Sequence, residues 1–134
     1  MSRLLDTNTC VQLLRARKVL VVQRLLAFAP ADIYLCSVVK AERYRGALRS
    51  PHPTANRAKV DAFAQPYVSL PFDDAAADFH SAIRHELETK GTPIGPHDIQ
   101  IAAIALLHKL VLVTHNTAEF SRVPGLQLED WEMP

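Results

Sequence analysis

Short, continuously apolar segments of the chain alternate with longer segments in which apolar residues recur every three or four positions. The short segments predict buried strands, and the longer ones predict amphipathic helices. The predicted strands lie at about 2–6, 33–36, 67–70, 110–114 and 126–128, and the predicted helices at about 9–16, 18–28, 38–49, 54–65, 73–90 and 96–107.

Strands that are apolar on both faces are typical of a parallel sheet covered by helices on both sides. The pattern therefore predicts an α/β fold with three layers, α/β/α, around a central parallel sheet of four or five short strands. No repeat and no linker interrupts the 134 residues, so we expect residues 1–134 to form a single domain.

Hydrophobic residues make up 49% and charged residues 22% of the chain, which excludes disordered, collagen-like and coiled-coil proteins. No apolar run approaches the length of a membrane span, and the N-terminus lacks the pattern of a signal peptide. The sequence thus predicts a cytoplasmic protein that does not bind a membrane. Cys10 and Cys36 do not form a metal or redox motif, and we expect both to be buried thiols.

The net charge of +1 conceals an uneven distribution along the chain. Residues 1–60 contain eleven Lys and Arg against three Asp and Glu, whereas residues 61–134 contain four against eleven. A net charge of +8 in one half and −7 in the other is consistent with a polyanionic partner on one face. It is equally consistent with two solvated faces that complement each other.

Polar residues interrupt the apolar pattern where ligands bind in such folds, beyond the carboxyl ends of the strands. Asp6 follows the first strand, Glu42 lies in the helix after the second, Asp98 opens the helix before the fourth, and Asn116 follows the fourth. Each alone has an ordinary explanation as a helix cap, first-turn acid, surface ion-pair partner or turn residue. Carboxylates brought together repel one another, and Mg²⁺ or Mn²⁺ relieves that repulsion.

Five ordered blocks of sequence resemble the PIN-domain family and, within it, the VapC-type toxins of toxin–antitoxin pairs. The blocks are LDTN at 5–8, SVVKAE at 37–42 followed by Gly46, TPIGPHDIQIAAIAL at 92–106, VTHNTAEF at 113–120 and VPGLQLEDW at 123–131.

The resemblance implies a metal-dependent endoribonuclease with Asp6, Glu42 and Asp98 as metal ligands and catalytic residues. The fourth acid of the family falls at or beside Asn116, where this chain has an amide. Asn116 is included in the predicted catalytic set on this basis, with Mg²⁺ as the cofactor and Mn²⁺ as a substitute.

Hydrolysis of RNA also requires residues that hold the substrate phosphates. The residues predicted to bind substrate are Asn8, Arg43, Arg45, Arg49 and Thr114. A shallow site at the sheet edge favours tRNA or other structured RNA loops over duplex RNA.

The resemblance further implies a VapB-like antitoxin as partner, and we expect a homodimer. Residues 11–28 contain ten large apolar side chains, which predict either an apolar groove for the antitoxin peptide or a core between two packed helices. A basic antitoxin side chain that reached Asp6 and Asp98 would compete with the cation.

Two other functions compete with the ribonuclease. A phospho-acceptor or phosphatase domain also gathers acids at strand ends, but it usually requires a partnering Lys, and Lys109 lies at the wrong end of its helix. A catalytically impaired PIN-fold module that only binds RNA or protein is favoured by the amide at Asn116.

Overall fold

The structure of the chain, a computed structural model, describes residues 2–134. Five parallel strands form one sheet in the order β3-β2-β1-β4-β5. The strands are β1 (Arg3–Leu5), β2 (Ile33–Cys36), β3 (Val68–Leu70), β4 (Val111–Val113) and β5 (Leu128–Glu129). The predicted parallel sheet of short strands is confirmed.

Helices connect successive strands, as the alternating pattern predicts. They are α1 (Thr7–Arg15), α2 (Val19–Leu26), α3 (Ser37–Leu48), α4 (Pro53–Ala64), α5 (Asp74–Thr89), α6 (Pro96–Leu107) and α7 (Thr117–Phe120), with a 3₁₀ turn at Pro30–Asp32. None of the helices in residues 2–134 is long and apolar enough to cross a membrane.

The sequence pattern predicted the start of α1 two residues too late and predicted no helix at 117–120. Helix α1 begins directly after Asp6, because the Asp6 carboxylate accepts a hydrogen bond from the Thr9 backbone N–H and so caps the first turn. Helix α7 has four residues, too few to show helical periodicity.

The connections reverse direction at β1, which pairs with β2 on one side and with β4 on the other. Ligands in open parallel sheets bind at such a reversal, outside the carboxyl ends of the strands. Asp6 follows β1 and Thr114 follows β4. The topology therefore brings these two residues together at the expected edge.

The core confirms the predicted burial of α6, in which Ile99, Ile101 and every residue from Ala102 to Ala105 are buried. Cys10 and Cys36 are free and buried, as expected. The segment after β5 contributes Trp131, which is only 2% exposed and stacks on Phe28 with ring centroids 5.7 Å apart. The end of the chain is thus packed against the residues that follow α2.

Candidate active site

Asp6 lies at the centre of the site, between β1 and α1. Its Oδ1 accepts a hydrogen bond from Thr9 N at 2.8 Å, and its carboxylate also interacts with the Thr114 hydroxyl. The side chain is buried, and burial raises its pKa above the ordinary value despite these hydrogen bonds. The site thus holds a desolvated carboxylate in a fixed orientation.

Asp98 lies in the first turn of α6, which begins at Pro96. A proline fits the first helical position because it lacks the N–H that would have no partner there. Burial, together with the negative charges of Glu119 and Asp6, raises the pKa of Asp98 to about 6. Asp98 also shares a hydrogen bond with Glu119. Both predicted acids, Asp6 and Asp98, therefore lie close enough together to affect each other.

Glu119 is the acid that the sequence reasoning missed. It lies in α7, and its Oε2 accepts a hydrogen bond from Asn116 Nδ2 at 3.2 Å. Asn116 in turn donates its backbone N–H to Thr114 Oγ1 at 2.9 Å. The spacing of an Asn followed three residues later by a Glu is typical of a helix N-terminus and was the available signal. Asn116 thus orients an acid and does not replace one.

Glu42 lies in the second turn of α3, where the sequence placed it, and forms an ion pair with His97 Nδ1. It shares a shallow cavity with Asp98, which we call the acidic cavity. The acidic cavity is lined by Thr7, Glu42, Gly95, Pro96, His97 and Asp98. Glu42 therefore faces the same space as Asp98, although its carboxylate is turned towards an imidazole.

The predicted substrate-binding residues separate into different environments. Arg45 is exposed beside Glu42, and Asn8 and Arg49 are exposed on the first turn of α1 and the end of α3. Arg43 points instead into a cleft between α1, α3 and α4. Thr114 is fully buried and engages Asp6, so its expected contact with substrate is corrected to a role in holding a carboxylate.

Carboxylate oxygens are the ligands that hard divalent cations prefer. As the side chains stand, no three Asp, Glu, His or Cys residues within 2–134 are arranged to hold an ion. The contacts explain this, because Asp6 is bound by Thr9 and Thr114 and Glu42 is paired with His97. The donor set nevertheless fits a divalent cation, since a positive charge would relieve the repulsion that raises the pKa of Asp98.

Comparisons with known proteins identify relatives over nearly the whole chain. Residues 3–126 match the PIN domain family. The chain is 38% identical over 128 residues to the tRNA(fMet)-specific endonuclease VapC of Salmonella typhimurium, an alignment that covers 96% of each chain. It is 34% identical over 130 residues to Ribonuclease VapC2 of Rickettsia felis, covering 96% of this chain and 97% of the relative.

The solved structures give the same result for the fold. The DNA-bound VapBC structure from Salmonella typhimurium superposes with a TM-score of 0.92 at 37% identity and covers 98% of both chains. The match therefore extends over almost the whole chain, including the sheet and its helices. The chain therefore belongs to the PIN-domain family and, within it, to the VapC ribonucleases of toxin–antitoxin systems.

Proposed function

We propose that the chain cleaves tRNA within an exposed loop and uses Mg²⁺, with Mn²⁺ as a substitute. The observation that carries the proposal is the grouping of Asp6, Asp98 and Glu119 at the sheet edge, where Glu119 supplies the acid that Asn116 lacks. The choice of tRNA follows the Salmonella typhimurium relative, a tRNA(fMet)-specific endonuclease. PIN-domain nucleases are generally dependent on divalent metals, and the preference for Mg²⁺ follows from an oxygen-only donor set.

In this proposal Asp6, Asp98 and Glu119 hold the cation, and Glu42 completes the set from the opposite wall of the acidic cavity. With a divalent cation held by these carboxylates, the site would gain positive charge to neutralise the scissile phosphate and to activate a water for attack. Thr114 holds Asp6, and Asn116 holds Glu119, so both carboxylates are oriented before substrate arrives. Asn8 and Arg49, which are exposed, bind RNA phosphates near the acids.

Incubation of the purified chain with a total tRNA fraction tests the proposal directly. Cleavage into two discrete fragments is expected with Mg²⁺ or Mn²⁺, and none with excess chelator, because the carboxylates alone repel the phosphate. Sequencing of the fragment ends identifies the loop. Persistence of cleavage in chelator contradicts the metal requirement, and intact tRNA beside other degraded RNA contradicts the substrate class.

We further propose that a VapB-like antitoxin binds the cleft between α1, α3 and α4, which we call the basic cleft. Its floor is apolar and its rim carries three cations, as the lining residues show: Val11, Leu14, Arg15, Arg43, Gly46, Ala47, Asn56, Lys59 and Val60. Arg43 Nε is buried there and has no hydrogen-bond partner. A buried donor without a partner is costly, so an amphipathic antitoxin segment with an acidic residue fits this cleft. A basic residue of the same antitoxin reaching Asp6 and Asp98 accounts for inhibition.

Expression of the chain alone in a bacterium is expected to arrest growth, and co-expression of the short neighbouring gene is expected to restore it. The Arg43→Leu variant should keep its toxicity but require more antitoxin for rescue, because the acidic residue loses its partner. Arg84→Leu, on the exposed face of α5, is the matched control. Rescue of the Arg43 and Arg84 variants at the same antitoxin level contradicts this docking site.

We also propose that the chain forms a homodimer. Val19 and Leu26 at the two ends of α2 are 65% and 76% exposed, and exposed apolar side chains of this kind are typical of subunit contacts. The molar mass of the purified chain in solution distinguishes a monomer from a dimer. A monomer at micromolar concentration contradicts the proposed dimer.

A further inference from the structure

A second cavity adjoins the acidic cavity on the side of α3 and α6, and we call it the side cavity. It has a volume of about 390 Å³. Its lining combines apolar and polar groups: Ser37, Val38, Ala41, Glu42, Arg45, His97 and Gln100. The two cavities share Glu42 and His97, which form an ion pair on the boundary between them. A ligand that extends from one cavity enters the other directly.

Two side chains of the side cavity have donors that are not used within the protein. Neither Arg45 nor Gln100 makes a side-chain hydrogen bond or ion pair within residues 2–134, although Gln100 is partly buried on α6. By contrast, Ser37 Oγ accepts a hydrogen bond from Phe72 N at 3.2 Å. The free guanidinium and the free amide lie on different helices and line one space, so they are placed to act on the same ligand.

The shape of the lining matches a nucleobase better than a bare phosphate. Val38 and Ala41 offer an apolar wall from successive turns of α3, against which the flat face of a base can pack. Arg45 and Gln100 offer hydrogen bonds to the edge of that base. A phosphate would leave the apolar wall uncovered and would lie beside the Glu42 carboxylate. The lining therefore favours a base.

We propose that the side cavity binds the base of the nucleotide next to the cleaved phosphodiester and selects guanine at that position. The proposal rests on the proposed ribonuclease site, because it places the scissile phosphate at the acids. Guanine has two acceptors, O6 and N7, on one edge, and an Arg guanidinium donates to both at once. The Gln100 amide then adds a hydrogen bond from the opposite helix. Selection arises because another base leaves one of these polar groups without a partner.

The test uses RNA hairpins that carry the cleaved loop and differ only in one nucleotide flanking the cut, with all four bases at each flanking position. The wild-type chain is expected to have its highest kcat/KM with guanine at one of the two positions. Gln100→Leu and Arg45→Leu are each expected to reduce the ratio of kcat/KM for guanine to that for the other bases by about 10-fold or more. Gln65→Leu, at the exposed end of α4, is expected to keep the wild-type ratio.

The possible outcomes distinguish failure of the base-binding proposal from failure of the proposed ribonuclease function. An equal loss of kcat/KM on all four bases shows that Arg45 and Gln100 contact phosphate and overturns the proposal. Equal cleavage of all hairpins by the wild-type chain also overturns it, while the ribonuclease assignment stands. Failure of the wild-type chain to cut any RNA overturns the proposed function itself. Two variants on separate helices protect the test against a folding defect in either one.

Discussion

Asp98→Asn is expected to reduce RNA cleavage by at least about 100-fold and to raise the melting temperature of the metal-free chain. Loss of an outer partner of a metal ligand commonly costs 10- to 100-fold in activity, so loss of a ligand charge is expected to cost more. The stabilisation arises because Asp98 is half-buried beside Glu119 and Asp6. Removing its charge should contribute about 1–2 kcal/mol after solvent screening, or about 3–8 °C in melting temperature.

The same carboxyl sets a pH dependence of stability in the metal-free chain. The pKa of Asp98 is about 6 in the folded chain, above its ordinary value of 3.8. The folded chain therefore binds more protons than the unfolded chain between these values. Its free energy of unfolding falls as the pH rises from about 4 to about 6, and addition of Mg²⁺ at neutral pH should restore it.

Thermal melts of the wild type and the Asp98→Asn variant across this pH range, with and without Mg²⁺, measure both effects. Asp78→Asn, which alters an exposed acid on α5, is the control and should not flatten the pH dependence. Asp6→Asn is also expected to reduce cleavage by at least about 100-fold. Full activity of the Asp98 variant, or an unchanged pH slope, contradicts the assignment of this acid to the site.

Glu119→Gln is expected to lower cleavage by at least about 100-fold as well, because it removes the negative charge that faces Asp98. The metal concentration needed for half-maximal activity should rise in parallel. Glu88→Gln is the matched control, because it makes the same substitution in an exposed pair with Arg84 on α5. This variant should retain wild-type activity. Wild-type cleavage by the Glu119 variant removes this residue from the proposed metal site.

Asn116→Asp distinguishes an orienting residue from a ligand. The amide of Asn116 donates to Glu119, and a carboxylate in its place both removes the donor and repels the acceptor. The variant is therefore expected to need more Mg²⁺ than the wild type. A lower requirement for Mg²⁺ instead assigns position 116 to the ligands themselves.

The parallel sheet and the positions of Asp6 and Asp98 were accessible from the sequence for a physical reason. Buried parallel strands are apolar on both faces, so an acid at a strand end or at a helix start stands out from its neighbours. Glu119 does not stand out in this way. Helix α7 is too short to show helical periodicity, and residues 61–134 contain many other acids. Its role depends on a contact between separate segments.

The direction of a side chain on a helix was the other feature that the sequence left open. Arg43 and Arg45 are both basic neighbours of Glu42 on α3, yet one faces the basic cleft and the other the side cavity. Gly46 permits the first arrangement, since a Cβ at that position would collide with the Arg43 guanidinium. With Glu119 supplying the acid, the amide at Asn116 no longer favours a catalytically impaired binding module.

The packing of the last residues determines how far the chain can be truncated without loss of the fold. The match to the family model ends at residue 126, but β5, Trp131 and Glu132, which pairs with Lys18, all lie beyond that point. A shortened chain ending there would leave β4 as an open sheet edge and expose the face of Phe28. Truncation at residue 126 is therefore expected to destabilise the fold, and affinity tags belong after Pro134 and not in place of the final residues.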